Sequence, residues 1–143
     1  IRVTRSQAFF VLGVSTMYTV KEVAQKINLT EHTIRFYTDK GLVPNVQRDK
    51  YNNRLFDEAS LSWLIRVKYL KDCGMSIKDI KHFVDLYLEG DSSIPLRYEI
   101  ILKYKEIARE QLAEATRRVE FMEKKAKRYH NIINQVISDD TNT

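Results

Sequence analysis

The amino-acid sequence predicts a mainly α-helical fold, in which a head of short capped helices with a small β ribbon precedes one long helix. Three observations carry this expectation. Gly and Pro are scarce, four and two among 143 residues, while 30% of residues are charged, a balance that favours helices. Apolar residues recur at helical spacing behind Thr, Asp and Ser positions suited to N-caps. From Pro95 to about Val136 there is neither Gly nor an internal Pro.

In the segment TVKEVAQKI, Val20, Val23, Ala24 and Ile27 share one helical face, and Thr19 with Glu22 three residues later makes a capping box. Asn28 and Leu29 break the chain tightly. Thr30 then caps a second helix, EHTIRFYTDK, whose Ile34 and Tyr37 face the first and which Gly41 stops. Two short helices joined by a turn describe a helix-turn-helix. Leu42 to Phe56 has a proline at 44, a polar centre and β-compatible ends, so it reads as a short ribbon turning at Tyr51-Asn52-Asn53, the wing of such a head. Asp57 caps a third helix carrying Leu61, Leu64, Ile65 and Leu70 and ending at Gly74. Ser76 caps a fourth carrying Ile77, Ile80, Phe83, Val84 and Tyr87, closed by Gly90 and Asp91.

Pro95 occupies a typical first helical position, and the helix it opens should run about 60 Å. Ala108, Leu112, Ala115, Val119, Met122, Ala126, Tyr129 and Ile133 alternate steps of four and three along it, the pattern of a coiled-coil seam. Ile101 and Tyr98 continue the phase backwards, with Lys105 out of character. A stripe of this length leaves more apolar edge than a small head covers, so a second copy of the chain is the expected partner. The seam alone leaves the direction of pairing open. The organisation expected is an artificial or upstream extension over 1–16, with the working protein starting at Met17, then a head over 17–91, a dimerisation helix over 92–137 and a disordered polar tail over 138–143.

Charge supports a polyanionic partner. The net charge is +5, and residues 30–71 hold eight Lys or Arg against five Asp or Glu, while residues 91–143 hold ten against nine. The excess lies in the head, where Lys and Arg at phosphates would release counterions. Thr30, Glu31, His32 and Thr33 open the second helix, where a recognition helix meets base edges. Arg35, one turn on, suits either a guanine or a phosphate. Tyr37 offers a hydroxyl to phosphate or packs on the first helix, at even odds. Arg48, Lys50, Asn53 and Arg54 place donors along the wing. Arg66, Lys68 and Lys71 fit a phosphate contact or a solvated face equally well.

Other classes find little support. The single Cys73 makes no internal disulfide, which fits a reducing cytoplasm. It is the one candidate redox sensor, although its neighbour Asp72 has the wrong charge for an activated thiolate and a structural cysteine is the plainer reading. The three histidines are scattered, so no metal or cofactor is expected. No nucleophile with a matching base and no phosphate-binding Gly loop is present, so no catalytic residue is assigned and an enzyme is not expected. No run of about 18 apolar residues marks a membrane span. The patch from Ala8 to Val14 behind Arg2 and Arg5 imitates a signal peptide only weakly.

These segments together, MYTVKEVAQKINLTEHTIRFYTDKGLV, NNRLFDE and LKDCGMSIKDIKHFVDLYLEGD, resemble the MerR family of bacterial transcriptional regulators. The resemblance implies a winged helix-turn-helix head on a homodimer joined by an antiparallel coiled coil. It further implies binding to double-stranded promoter DNA, whose long spacer is bent and untwisted so that RNA polymerase, an implied partner, reads both promoter elements. Arg35, Tyr37, Arg48, Asn53 and Arg54 become the implied DNA contacts. Little follows the long helix, and no cysteine follows Cys73, so the chain is most similar to the short branch that lacks an effector domain and responds to aldehyde or nitrosative stress. In that branch the sensing cysteine tends to lie one turn earlier, where Tyr69 stands. A protein-interaction scaffold built on the coiled coil is the rival reading.

Overall fold

The computed structural model describes residues 16–134. The expected extension before Thr16 and the tail from 138 lie outside the described residues. Two compact units divide the chain, one reaching Ile101 and one from Leu102 onward.

The first unit is built around a helix-turn-helix. Helix α1, Val20–Ile27, starts at Thr19, whose hydroxyl accepts the Glu22 backbone N–H while the Glu22 carboxylate reaches back to the Thr19 N–H. The capping box expected from the sequence is therefore complete. Asn28, at φ 55°, ends the helix in the left-handed conformation, its N–H bonded to the Ala24 carbonyl. An asparagine tolerates that conformation better than most residues. Helix α2, Glu31–Asp39, begins at Thr30, whose Oγ1 accepts the Thr33 N–H at 3.1 Å. Val20, Val23 and Ile27 of α1 and Ile34 and Tyr37 of α2 are buried. Gly41, at φ 72°, stops α2: its N–H bonds Thr38 O and the Leu42 N–H bonds Tyr37 O, which turns the chain and buries Leu42.

The wing strands are β2, Gln47–Arg48, and β3, Arg54–Phe56, paired antiparallel with Arg48 opposite Arg54. The sequence reading missed β1, Tyr18–Thr19, which pairs on the other side of β3 with Tyr18 opposite Phe56. The order β1-β3-β2 makes β3 central. Phe56 is fully buried, and β3 also packs on α1. Two residues are too short to register as a strand pattern, and Thr19 serves as strand end and helix cap at once.

Helix α3, Glu58–Asp72, is capped by Asp57 as expected, the carboxylate accepting the Ser60 N–H at 2.7 Å. Helix α4, Ile77–Leu88, is capped by Ser76. Leu61, Trp63, Leu64 and Val67 of α3 and Ile80, Val84 and Leu86 of α4 are buried, together with Met75 in the turn between them. Lys68 and Arg66 serve this packing. Lys68 Nζ donates to the Ile27 carbonyl at 2.7 Å, at the C-terminal end of α1, where a cation is favoured. The Arg66 guanidinium lies over the rings of Trp63 and Tyr87, which meet edge to face at 4.9 Å. A 3₁₀ turn over Asp91–Ser93 leads into helix α5, Ile94–Ile133. Pro95 thus falls in the first turn of α5, where its missing N–H leaves no helical bond unmade. Buried Ser93 sits 2.5 Å from Leu86 O and accepts from Arg97 Nε, whose guanidinium also covers Tyr87. These contacts hold the start of α5 inside the first unit, past residue 91.

The second unit is the remainder of α5. No residue of α5 is buried, and the seam stands open: Leu112, Val119, Met122 and Tyr129 are 55–68% exposed.

Candidate nucleic-acid interface

One open concavity lies between the helix-turn-helix and the wing, lined by Thr19, Lys21, Glu31, Arg35, Arg48, Asp49, Asn52, Asn53 and Arg54, with Val20. It gathers four cations, Lys21, Arg35, Arg48 and Arg54, against two carboxylates, Glu31 and Asp49. Four of the sequence-predicted contacts, Arg35, Arg48, Asn53 and Arg54, therefore converge on one surface. Sequence reasoning missed Lys21, Thr19 and Asn52. Lys21 follows the N-cap of α1 directly, a signal that a charge count restricted to residues 30–71 passed over.

Each side chain is held differently. Arg35 is half exposed and pairs with Glu31 one turn earlier at 3.3 Å. Such an exposed pair contributes little to stability and leaves the guanidinium available to an anion. Thr30 and Thr33 are tied to each other, Thr30 Oγ1 donating to Thr33 Oγ1 at 2.8 Å, while His32 is exposed on the outer face. Tyr37 departs from the proposed role: it is 6% exposed, a residue of the core whose ring the first helix covers. Burial, followed by the negative charge of Asp72, raises its pKa above 10.0, so it stays a neutral phenol. Phe36 takes the outer position instead, 39% exposed beneath Lys40.

The wing turn is organised by Asp49. Its carboxylate accepts the backbone N–H groups of Tyr51 and Asn53, each at 2.9 Å, and the Asn53 side-chain amide at 3.2 Å. Arg48 closes the turn by donating to the Asn52 carbonyl, and Asn52 takes φ 64°. At the tip, Tyr51 is 73% exposed with Lys50 stacked over its ring at 5.0 Å. The hydrogen bonds to Asn53 lower the Asp49 pKa below 3.8. Because the charged form is favoured in the fold, its contribution to the turn is full above that value and lost as pH falls through the lower, folded one. We expect the Tyr51 and Asn53 amide shifts to titrate with a midpoint below 3.8 by NMR; a midpoint at or above it removes Asp49 from the turn.

Arg54 does something the sequence did not show. Its side chain is only 16% exposed and its guanidinium donates to Asp39 Oδ1 at 2.6 Å, which ties the central wing strand to the end of α2. Arg48, by contrast, is exposed. Arg48→Ala is therefore expected to reduce the salt dependence of duplex binding by about 0.9 in log–log slope, one phosphate contact. Arg54→Ala should weaken binding while leaving that slope nearly intact, because it displaces the wing. Binding measured at three salt concentrations separates them; equal slope changes would make Arg54 a direct contact.

Cys73 is free and exposed at the C-cap of α3. Among the described residues no group of three His, Cys, Asp or Glu is placed to hold a metal, and no helix is long and apolar enough to cross a membrane.

A helix-turn-helix with its α2 exposed, a three-stranded wing beside it and a cationic concavity between them define a winged helix-turn-helix DNA-binding protein. The family model described as MerR HTH family regulatory protein matches residues 18–86. An uncharacterized HTH-type transcriptional regulator of Haemophilus influenzae is 40% identical over 108 residues, 76% of this chain and 80% of that protein. The crystal structure of HiNmlR, a MerR family regulator lacking the sensor domain, bound to promoter DNA, aligns with TM-score 0.69 at 38% identity, covering 81% of this chain and 92% of that one. A MerR family transcriptional regulator from Bacillus thuringiensis aligns with TM-score 0.67 at 32% identity, over 80% of this chain and 100% of that one. The chain belongs to the MerR family of transcriptional regulators.

Proposed function

We propose that this chain binds promoter DNA as a homodimer and controls transcription initiation by distorting the promoter spacer. The observation that carries it is the convergence of Lys21, Arg35, Arg48, Asn53 and Arg54 on one concavity beside the exposed N-terminal turn of α2. In this reading Thr30, His32 and Thr33 approach base edges from the start of α2, and Arg35 reaches a guanine or a phosphate. Arg48, Lys50, Asn53 and the exposed Tyr51 lie along the backbone, and Arg54 positions them. The same head on HiNmlR was crystallised on promoter DNA, which supports this assignment. Ala108, Leu112, Ala115, Val119, Met122, Ala126 and Tyr129 form the dimer contact. A promoter-bound role places the protein in the cytoplasm with RNA polymerase as partner, and makes it a regulator and not an enzyme.

The test is selection of genomic duplexes by the purified protein, followed by gel shift on the best duplex with and without Arg35→Ala. Loss of one bidentate contact on each subunit is expected to weaken binding at least ~100-fold, at roughly 1–3 kcal/mol per contact. Failure to select any duplex at low salt would leave the scaffold reading in its place. For Cys73, exposed but without a second thiol, Cys73→Ser is expected to leave the response to diamide or aldehyde in a reporter unchanged; a lost response would make it a sensor.

A further inference from the structure

We propose that the long helices of two copies pair antiparallel in one specific register, with Lys105 of each copy seated over the partner's Met122 and beside the partner's Glu123. The inference rests on the homodimer reading above and adds what fixes direction and alignment.

The open face of α5 supplies the first argument. Along the seam Lys105, Ala108, Leu112, Ala115, Val119, Met122 and Ala126 follow one another at steps of three and four. A parallel pair in register sets each residue against its own copy. Alanine would meet alanine at 108, 115 and 126, large would meet large at 112 and 122, and Lys105 would meet the partner's Lys105. Such a coil alternates voids with crowded layers and buries a like-charge pair, each unfavourable. An antiparallel pair instead sets one step type against the other.

Volume and charge then choose among antiparallel registers. In the proposed one, Ala108 faces the partner's Val119, Ala115 faces the partner's Leu112, and Lys105 faces the partner's Met122. Both alanines meet a branched aliphatic side chain, so small fills against large as interdigitating layers require. Sliding one heptad in one direction brings Ala108 onto the partner's Ala126 and Leu112 onto the partner's Met122, a void beside a crowded layer. Sliding the other way puts Lys105 against the partner's Ala115, in a hole made by Leu112, Ala115, Thr116 and Val119, which holds no carboxylate.

The second observation is the groove on the surface of α5. Val119, Met122, Glu123 and Ala126 line it, with Ala115 and Arg118 one turn earlier. Those first four residues are the hole that a knob opposite Met122 would enter. The hole has three apolar walls for a lysine stem and one carboxylate for its ammonium. Neither Lys105 nor Glu123 has an ion-pair partner among the described residues, whereas Glu106 and Glu114 of the same helix pair with Arg109 and Arg117. The residue that breaks the apolar stripe thus meets its complement at one register only.

Cysteine pairing in the full chain tests this, in a Cys73→Ser background. Ala108→Cys and Val119→Cys should each fail to cross-link alone and should form a disulfide-linked dimer when mixed and oxidised. Self-cross-linking of either variant would mean parallel pairing and overturn the proposal. So would cross-linking of Ala108→Cys with Ala126→Cys in place of Val119→Cys, or no cross-link in a protein that sediments as a dimer. A protein that sediments as a monomer before oxidation would instead sink the dimer reading itself. Independently, Lys105→Glu should weaken the dimer about tenfold or more, and Lys105→Glu with Glu123→Lys should restore it; an unchanged dimer constant for the single variant overturns the pairing.

Discussion

Leu112→Glu is expected to convert the protein to monomers in sedimentation while leaving the head folded. Leu112 is 68% exposed in the single chain, so a glutamate there meets water and costs the monomer almost nothing. In the dimer the same position is a buried layer, and twofold symmetry counts each loss twice. Two leucines forgo about 1.5–3 kcal/mol of burial each, and two carboxylates are placed in an apolar seam with no cation directly opposite. The burial loss alone shifts the dimer constant by roughly 100-fold or more, at 1.4 kcal/mol per factor of ten. Duplex binding should fall with it, since a dimer engages two half-sites and a monomer one. A Leu112→Glu protein that remains dimeric would show that the stripe is covered in some other way.

How far the sequence reveals this architecture depends on the range of the interaction. The caps at Thr19, Thr30, Asp57 and Ser76 each rest on a hydrogen bond spanning three residues, and all four are realised. The seam is likewise local, because its phase is set by spacing along one helix. Contacts that join distant segments were not legible. Arg54 reaches Asp39 across fifteen positions and Lys68 reaches Ile27 across forty-one, and either lysine or arginine reads equally well as a free surface charge. Tyr37 illustrates the same limit: an amphipathic residue on a short helix offers its ring to the core or its hydroxyl to a ligand, and only the packing of α1 decides. The strand β1 exists because β3 has a free edge beside Tyr18, a property of the sheet and not of those two residues.

That edge explains why the wing depends on a residue far from any nucleic acid. Phe56→Ala is expected to destabilise the head by about 3–5 kcal/mol, the usual cost of emptying a buried aromatic site. Phe56 is wholly buried at the end of the central strand, opposite Tyr18, where β3 also approaches α1 and α3. Against a total stability on the order of 5–15 kcal/mol, such a loss removes a large share. For a domain of this size it lowers Tm by more than about 12 °C, measurable by following Trp63 fluorescence, since that indole is buried in the same unit. Binding should fail at a lower temperature than unfolding does. Emptying the site loosens β3, and with it the Arg54–Asp39 tie that aligns the wing with α2. Arg54→Ala at 25 °C should therefore imitate the binding defect of Phe56→Ala without its stability defect. A Phe56→Ala protein with unchanged Tm would mean that the wing is anchored chiefly through β2 and the Asp49 turn.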